Sequence, residues 1–458
     1  MTQEAAAIHG AEPALIANPT HAIAAAAIFV IAYALIATER VHRTVVAIAG
    51  AAAVLALRLV DQSVAFGGGH AGVDWNVVFL LLGMMIIVAV TQRTGIFQWV
   101  AIKAAKASRG QPVRAILLMS VVTAVLSAFL DNVTTVLLTA PISMLIADGL
   151  GISPIPMLIA QIMASNIGGT ATLIGDPPNI MIGSAAKLGF LDFIAHLAPI
   201  AVIAFGAFAG IMVLQFRREL KTPLDAAERV AGFDESRAIT DPKLCRRCLV
   251  VLGITLLGFF IHQPLHLQPA TVALAGAALL LVVSRVEIDG VLRQVEWSTL
   301  LFFVGIFVMV SALVETGIIG VGTGWLAARA DASPGAMAVV VLWVSAVASG
   351  VLGSIPLVAA ANPMLVELAA RLGGVPLSGV GAAQLHSAPM LAFWWALALG
   401  ACLGANFTLI GAAANVVVAG VADKHGHPIS FMGYLRYGIP TTLATIILCH
   451  FYLVLRYL

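Results

Sequence analysis

Residues 166–179 read NIGGTATLIGDPPN and interrupt a run of otherwise apolar sequence. The glycines, the aspartate and above all the two adjacent prolines cannot continue an unbroken membrane helix, because proline removes a backbone donor and clashes with the preceding turn. Backbone groups freed at membrane depth are tolerated only where they are buried in protein or line a cavity. Apolar sequence of half-span length flanks the segment on both sides, which predicts a helix over 155–186 that is interrupted inside the bilayer. A simple kink or a surface loop is the alternative.

The composition surrounding this segment indicates a membrane protein. Of 458 residues, 61% are hydrophobic and only 10% are charged, whereas a soluble domain carries about a quarter charged residues. Apolar runs long enough to cross roughly 30 Å of hydrocarbon recur along the chain, and the strand alternation of an outer-membrane barrel is absent. The sequence therefore predicts an all-α integral membrane fold.

A second polar motif, SAFLDNVTT at residues 127–135, also lies inside apolar sequence. A carboxylate such as Asp131 is costly in a membrane unless it faces a cavity, a partner or a cation. The tip of a re-entrant hairpin would expose helix-terminal N–H groups to a substrate and carbonyl groups to a cation. The alternative is a polar contact between helices that stabilises the bundle.

Both motifs belong to an internal repeat. Val73-Asp74-Trp75 resembles Val295-Glu296-Trp297 at an offset of 222 positions, and the TLIG of 172–175 returns at 408–411 at an offset of 236. Such ordered matches favour a duplication.

Charge placement predicts opposite orientations for the two copies. The long polar stretch 217–247 holds eight Lys/Arg against six acids, so the positive-inside rule places it in the cytoplasm. Equivalent loops of the two halves then face opposite sides, which is typical of secondary transporters with inverted repeats. We expect about ten transmembrane helices, two re-entrant hairpins and two interrupted helices. The predicted segments are an extramembrane N-terminal segment 1–20; repeat 1 over 21–216, with spans 21–38, 44–60, 76–92 and 197–216, hairpin 113–147 and interrupted helix 155–186; linker 217–247; and repeat 2 over 248–458, with spans 248–262, 268–284, 297–313 and 438–456, hairpin 335–370 and interrupted helix 391–422.

The second half repeats this framework without the acids of the first. Asp131 corresponds to Gly353 and Asp176 corresponds to Ala412. We therefore expect that only the first half supplies carboxylates for coupling, with Asp131 and Asp176 as proton carriers, and that a single coupling-ion site exists. The predicted substrate- and ion-binding residues are Asp131, Asn132, Thr134, Thr135, Asn166, Gly168, Thr170, Thr172, Gly175, Asp176, Asn179, Ser349, Ser354, Asn406, Thr408 and Asn415.

Other function classes find no support in the sequence. The chain has no GxxxxGK[ST] motif, so we expect neither nucleotide hydrolysis nor another enzyme activity. It has no basic stripe for nucleic acid, no metal-ligand pattern and no motif for a cofactor. The four cysteines have no disulfide-framework spacing.

Residues 130–138 (LDNVTTVLL) and the segment 166–179 resemble the ArsB/P-protein branch of the ion transporter superfamily. The resemblance extends over nearly the whole chain and implies a core of helix hairpins and broken helices in each half. Members include arsenite and antimonite efflux permeases, sodium/proton antiporters of the NhaD type and the melanosomal P protein. Gly353-Ser354 stands where many relatives carry an Asp-Asn or Asn-Asn pair, which argues against two cation sites.

We therefore expect export of arsenite or antimonite across the inner membrane by proton antiport. Neutral arsenite is an uncharged trihydroxide, and the motifs hold no Lys or Arg to pair with a dicarboxylate or sulfate. A sodium/proton antiporter and a P-protein-like anion channel are the alternatives. The expected partners are the inorganic solute, a proton or sodium, the lipid bilayer and an ATPase subunit acting in trans.

Overall fold

The computed structural model describes residues 18–38, 40–67, 72–216, 226–232, 234–235, 238–330 and 333–458. Within these ranges the regular elements are helices and no strand occurs. Among the described residues, ten helices are long and apolar enough to cross a membrane, as expected of an all-α integral membrane protein. The predicted N-terminal segment lies outside the described residues up to position 17.

The helices of the first half and of the linker are α1 (Pro19–Ala37), α2 (Arg43–Ala56), α3 (Gln62–Phe66), α4 (Trp75–Gln92), α5 (Ile96–Ala107), α6 (Pro112–Phe129), α7 (Asn132–Leu150), α8 (Ile155–Thr170), α9 (Pro177–Ala186), α10 (Phe190–Phe216) and α11 (Ala226–Ala231). Those of the second half are α12 (Pro242–Ile261), α13 (Pro269–Ser284), α14 (Ile288–Leu292), α15 (Trp297–Glu315), α16 (Ile318–Ala330), α17 (Pro334–Leu352), α18 (Ser354–Leu372), α19 (Ala382–Leu385), α20 (Ala388–Gly404), α21 (Ala413–Lys424) and α22 (Phe431–Tyr457), with a 3₁₀ turn at Leu377–Gly379.

The ten helices that qualify by length are not the same ten that the sequence predicts as spans. The four helices of the two hairpins, α6, α7, α17 and α18, each have 18 or 19 residues and qualify. By contrast, α2, α13 and α20 are apolar but shorter than 18 residues. A 14-residue helix such as α2 is only about 21 Å long, so it needs neighbouring elements to complete a crossing.

Three long helices begin earlier than predicted, because a charged residue interrupts the apolar sequence near the start of each: Asp192 in α10, Lys243 in α12 and Arg436 in α22. α10 and α22 each have 27 residues and begin at Phe190 and Phe431, seven residues before the expected spans. α12 begins at Pro242, where the Asp241 side chain accepts hydrogen bonds from two backbone N–H groups of the first turn. Proline in the first turn and a capping aspartate are ordinary ways to begin a helix, but they contribute no apolar signal.

The two predicted hairpins and the two predicted breaks coincide with helix boundaries. α6 and α7 meet at residues 130–131, and α17 and α18 meet at Gly353, whose φ of +88° suits a residue without Cβ. Residues 171–176 separate α8 from α9, and residues 405–412 separate α20 from α21. The offset of 222 positions recurs in the first residues of α4 and α15, of α6 and α17, and of α7 and α18.

Glycines allow the interrupted helices to approach the hairpins closely. A Cβ at Gly168 on α8 would lie 2.2 Å from the carbonyl oxygen of Ala124 on α6. A Cβ at Gly404 on α20 would lie 2.4 Å from the carbonyl oxygen of Ala346 on α17. Since both obstacles are backbone atoms, a larger residue at either position would separate the two helices.

The linker lies against the end of the first half. Glu235 forms ion pairs of 3.0 Å with Lys103 and 3.1 Å with Lys106 on α5. These two ammonium groups hold the pKa of the Glu235 carboxyl below its ordinary value. The backbone N–H of Thr240 also donates to the carbonyl of Thr94 at 3.1 Å. The linker therefore has specific contacts with repeat 1.

Candidate functional site

The two hairpin tips and the two helix breaks meet around a small cavity of about 10 Å³, here called the central cavity. Such a volume suits about one water molecule. None of its lining residues in the described part of the chain is Lys or Arg. The lining residues are Leu81, Met85, Asp131, Asn132, Val133, Asp176, Pro177, Thr299, Ser354, Ile355, Ala412 and Ala413.

Asp131 lies at the tip of the first hairpin and begins α7. Its Oδ1 accepts a hydrogen bond of 2.8 Å from the backbone N–H of Thr134, and its Oδ2 accepts one from the Thr134 hydroxyl. This is the geometry of a helix N-cap, so the local sequence alone fixes the carboxylate at the cavity. Asp131 is only 5% exposed, which makes its ionised form dependent on these donors or on a bound cation.

Asp176 lies at the equivalent point of α9, but its side chain does not cap that helix. Pro177 and Pro178 occupy the first two helical positions and offer no N–H to a cap. The Oδ1 of Asp176 accepts a hydrogen bond of 3.1 Å from Asn132 Nδ2. Its Oδ2 is buried and has no hydrogen-bond partner. The prolines thus leave this carboxylate available to a proton or another ligand.

A network of buried amides connects these acids to the second half of the chain. Asn132 Nδ2 also donates to Asn166 Oδ1 at 3.3 Å. Asn166 Nδ2 then donates to Asn406 Oδ1 at 2.9 Å and to Asn415 Oδ1 at 3.0 Å. Asn166, Asn406 and Asn415 are fully buried. Four predicted asparagines are therefore brought together, and within this network Asn166 joins the first half to the second.

Asn179 and Asn415 have equivalent positions one turn into α9 and α21, and each holds its own helix break in shape. Asn179 Nδ2 contacts the carbonyls of Gly169, Thr170 and Thr172, the last at 2.9 Å. Asn415 Nδ2 donates to the carbonyls of Ala405 at 2.8 Å and Thr408 at 3.0 Å. These amides satisfy carbonyls that the interrupted helices cannot satisfy themselves.

Most of the remaining predicted residues stabilise the backbone around the cavity. The Thr172, Thr408, Thr170 and Ser349 hydroxyls donate to backbone carbonyls, of Ala128, Gly350, Asn166 and Ala401 respectively. Gly175, like Gly168, is a packing position, because a Cβ there would lie 2.5 Å from the Ser127 carbonyl oxygen. Ser354 lines the cavity. Thr135 is buried, and its hydroxyl has no hydrogen-bond partner.

Helix N-termini also surround the cavity. α18 begins at Ser354 and α21 begins at Ala413, and neither helix has a side-chain cap. The first N–H groups of a helix carry partial positive charge and attract oxygen atoms. In α18 the Ser354 N–H already donates to the Gly411 carbonyl at 3.2 Å, so the start of α21 at Ala413 is the clearer source of N–H donors opposite the carboxylate acceptors of the first half.

The structure adds residues that sequence analysis missed. Thr299, near the start of α15, lines the central cavity, and its hydroxyl donates to Glu296 Oε2 at 3.0 Å. Arg43 Nη2 on α2 donates to the same hydroxyl oxygen at 3.4 Å. An acid of the second half, Glu296, therefore contacts a residue that lines the cavity, while the acids that line it directly are Asp131 and Asp176 of the first half. The internal repeat could have drawn attention to Glu296, since this residue corresponds to Asp74 of the first half.

Two larger pockets differ in their relation to the central cavity. The first, of about 310 Å³, contains Arg43 and shares Ser354, Ile355, Ala412 and Ala413 with the central cavity; it is called the Arg43 pocket. The second, of about 550 Å³, contains Asp74 and shares none of its described lining residues with the central cavity. In this conformation the central cavity therefore adjoins the Arg43 pocket.

Comparison with known families and proteins supports a transporter. The family model described as a citrate transporter, CitMHS, matches residues 33–400. An uncharacterized transporter of Mycobacterium tuberculosis (strain ATCC 25618 / H37Rv) is 45% identical over 439 residues, covering 95% of this chain and 98% of its own length. The 46 kDa membrane protein of Mycobacterium leprae (strain TN) is 42% identical over 436 residues, covering 95% and 99%.

Two more distant similarities extend the comparison. The P protein of Homo sapiens is 34% identical over 499 residues, covering 92% of this chain. The match covers 58% of the P protein, so this chain spans little more than half of that relative. The crystal structure of the YdaH transporter of Alcanivorax borkumensis matches with a TM-score of 0.54 at 14% identity, covering 82% of this chain and 83% of that one. At this identity the structural match supports the fold alone.

Proposed function

Because the chain belongs to the citrate transporter family and is a multi-pass membrane transporter, we propose that it is a secondary active transporter that exports arsenite or antimonite by proton antiport. We place it, as part of this proposal, in a bacterial inner membrane with the linker in the cytoplasm. Residues 21–216 and 248–458 then act as inverted repeats around the central cavity. An ATPase subunit in trans is compatible with this arrangement but is not needed for it.

The observation that supports proton coupling is the pair of buried carboxylates at one cavity. Asp131 is 5% exposed and Asp176 is 1% exposed, and no Lys or Arg in the described chain lines the cavity with them. Two ionised carboxylates at such a site are unfavourable, so at least one of them should bind a proton or a cation. Binding of that ion on one side of the membrane and its release on the other would drive the transport of the solute.

The donors and acceptors of the cavity support a small, uncharged substrate. The N-terminus of α21 at Ala413 offers N–H donors, whereas Asp131 and Asp176 offer acceptors. Arsenite and antimonite trihydroxides carry both hydroxyl donors and oxygen acceptors and have no charge to be repelled. Free citrate, the substrate in the family's description, would bring carboxylates against two carboxylates without the charge pairing that such anions usually require.

A sodium/proton antiporter is the second candidate. The buried Oδ2 of Asp176 has no hydrogen-bond partner, and hard cations prefer oxygen ligands of this kind. In this case sodium would bind at the central cavity in place of the solute. Dequenching of a pH-sensitive dye on addition of sodium alone, without arsenite, would favour this candidate.

The test uses purified protein in proteoliposomes with an imposed pH gradient. We expect gradient-dependent accumulation of radioactive arsenite or antimonite by the wild type, and its loss in Asp131→Asn, which keeps the side-chain shape and a capping oxygen but cannot exchange a proton. Citrate and sodium, supplied separately, serve as competing substrates. The proposal fails if neither metalloid accumulates, or if Asp131→Asn accumulates them like the wild type.

A further inference from the structure

Glu296 occupies the position before α15 but does not act as its cap. Asp74, the equivalent residue of the first half, caps α4 by accepting from the N–H groups of Asn76 and Val77. Glu296 has no such bond. Instead its Oε2 accepts from the Thr299 hydroxyl, and its Oε1 is buried without a hydrogen-bond partner. The Glu296 carboxylate therefore does not cap its helix as the equivalent Asp74 does.

Thr299 connects Glu296 to the central cavity. Its side chain is 3% exposed and lines the cavity together with Asp131 and Asp176. Its oxygen donates its proton to Glu296 at 3.0 Å and accepts from Arg43 Nη2 at 3.4 Å. A central cavity of about 10 Å³ suits one water molecule, which can bridge the Thr299 hydroxyl and Asp131. Side chains that connect by hydroxyl and water in this way can pass protons.

The charges around Glu296 suit a group that both takes and releases a proton. In the described chain, the charged groups that act on it are Asp131 and Arg43. Burial and, to a lesser extent, the negative charge of Asp131 raise the pKa of Glu296 to about 7, although the Thr299 hydrogen bond and the Arg43 guanidinium oppose that rise. Arg43 also lies over the Phe302 ring at 5.4 Å and lines the Arg43 pocket. Proton transfer is most efficient when the pKa of the transferring group lies near the working pH.

We propose that Glu296 transfers the coupling proton between Asp131 and solvent at the Arg43 end of the protein, with the Thr299 hydroxyl as the bridge. This inference rests on the proposed proton coupling. Protonated Asp131 gives its proton to the cavity water, and that water protonates the Thr299 oxygen as the Thr299 hydroxyl proton moves to Glu296. Glu296 then releases a proton to solvent, which leaves both carboxylates ionised and Thr299 unchanged. Proton uptake runs in the opposite direction.

The experiment measures proton binding without any solute. Proteoliposomes on a solid-supported membrane receive a pH jump from the Arg43 end, and the transient current reports how fast protons reach the central acids. We expect Glu296→Gln and Thr299→Val to slow this current on the order of 100-fold, the lower end for a positioned proton-transfer group. Thr299→Ser, which keeps the hydroxyl, should restore a rate near that of the wild type.

A matched control lies at the other end of the same helix. Glu315 is the last residue of α15 and is exposed, so Glu315→Gln makes the same chemical change away from the cavity and should leave the current unchanged. Thr299→Val also tests the step if Glu296→Gln does not fold. Wild-type rates in both variants would overturn the proposal.

The design separates this inference from the proposed substrate. A proton current in the wild type without arsenite or antimonite transport would refute the proposed substrate, while the rates of the Glu296 and Thr299 variants would still decide the transfer step. A current that Asp131→Asn leaves intact would refute Asp131 as the proton carrier and the transfer step with it.

Discussion

The bond between Asn166 and Asn406 offers a quantitative test of how the two halves are joined. Asn166 Nδ2 donates to Asn406 Oδ1 at 2.9 Å and to Asn415 Oδ1 at 3.0 Å, and its Oδ1 accepts from Asn132 at 3.3 Å. All of these side chains are buried. Asn166→Ala removes the three bonds, whereas Asn406→Ala removes only the one that it shares with Asn166.

The expected loss in the free energy of unfolding follows from the buried polar atoms that each substitution leaves without a hydrogen bond. Asn132 still donates to Asp176 after Asn166→Ala, but the buried Oδ1 of Asn415 loses its donor, since the two remaining bonds of Asn415 are made by its Nδ2. Asn406 keeps none of its side-chain bonds, since its Nδ2 has no partner to begin with. A buried polar group left unpaired costs about 1–3 kcal/mol, so the two acceptors that lose their donor, Asn406 Oδ1 and Asn415 Oδ1, should lower the free energy of unfolding of Asn166→Ala by about 2–6 kcal/mol. The coupling between positions 166 and 406 should lie near 1 kcal/mol, as for other bonds between membrane helices.

The assay is reversible unfolding in mixed detergent micelles with increasing sodium dodecyl sulfate. Tryptophan fluorescence reports the transition, because Trp394 and Trp395 are fully buried on α20. A double-mutant cycle with Asn166→Ala and Asn406→Ala isolates their bond. Asn362, whose Nδ2 donates to the Met181 carbonyl, provides the control, and its alanine variant should be additive with Asn166→Ala. Zero coupling between 166 and 406 would refute the proposed link.

Two further predictions concern packing and charge. Gly175→Ala should lower the thermal unfolding temperature, because the new Cβ would lie 2.5 Å from a backbone oxygen. Gly206→Ala is the control and should not lower it, because no atom lies within 4 Å of a Cβ at that position. Equal unfolding temperatures for the two variants would contradict the prediction. Arg371→Ala should cost about 1–3 kcal/mol, since Arg371 pairs with Glu367 on its own helix at 2.6 Å and donates to Gly320 on α16 at 3.2 Å. Lysine at 371 should recover only part of that loss in the detergent titration.

The sequence predicts where the helices of the site break and turn better than it predicts which side chains pair across the site. Pro177, Pro178 and the neighbouring glycines have local consequences, because each restricts or frees its own backbone, so the breaks fall where the motifs predict them. The hairpin tip at Asp131 is also local, since Thr134 supplies its capping bonds. Features of this kind need no knowledge of tertiary structure.

Long-range pairing could not be predicted in the same way. Nothing near Asn166 indicates that its partners lie 240 and 249 positions away. The prediction also treats Thr172 and Thr408 as binding groups, whereas their hydroxyls donate to backbone carbonyls of the adjacent hairpins. Glu296 was visible as the equivalent of Asp74, but its distinct role depends on how α15 approaches the first hairpin.

The two halves contribute different residues to the cavity, which is consistent with the single coupling site that we propose. At equivalent positions the first half places Asp131 and Asp176, and the second half places Gly353 and Ala412, which leave the N-termini of α18 and α21 uncapped. A symmetric pair of acidic halves would gather four carboxylates around about 10 Å³, and their repulsion would require several cations. With acceptors on one side and N–H donors on the other, one proton can balance the cavity. We therefore expect that restoring an acid in the second half, as in Ala412→Asp, would raise the number of protons bound per transport cycle or prevent folding, rather than improve transport.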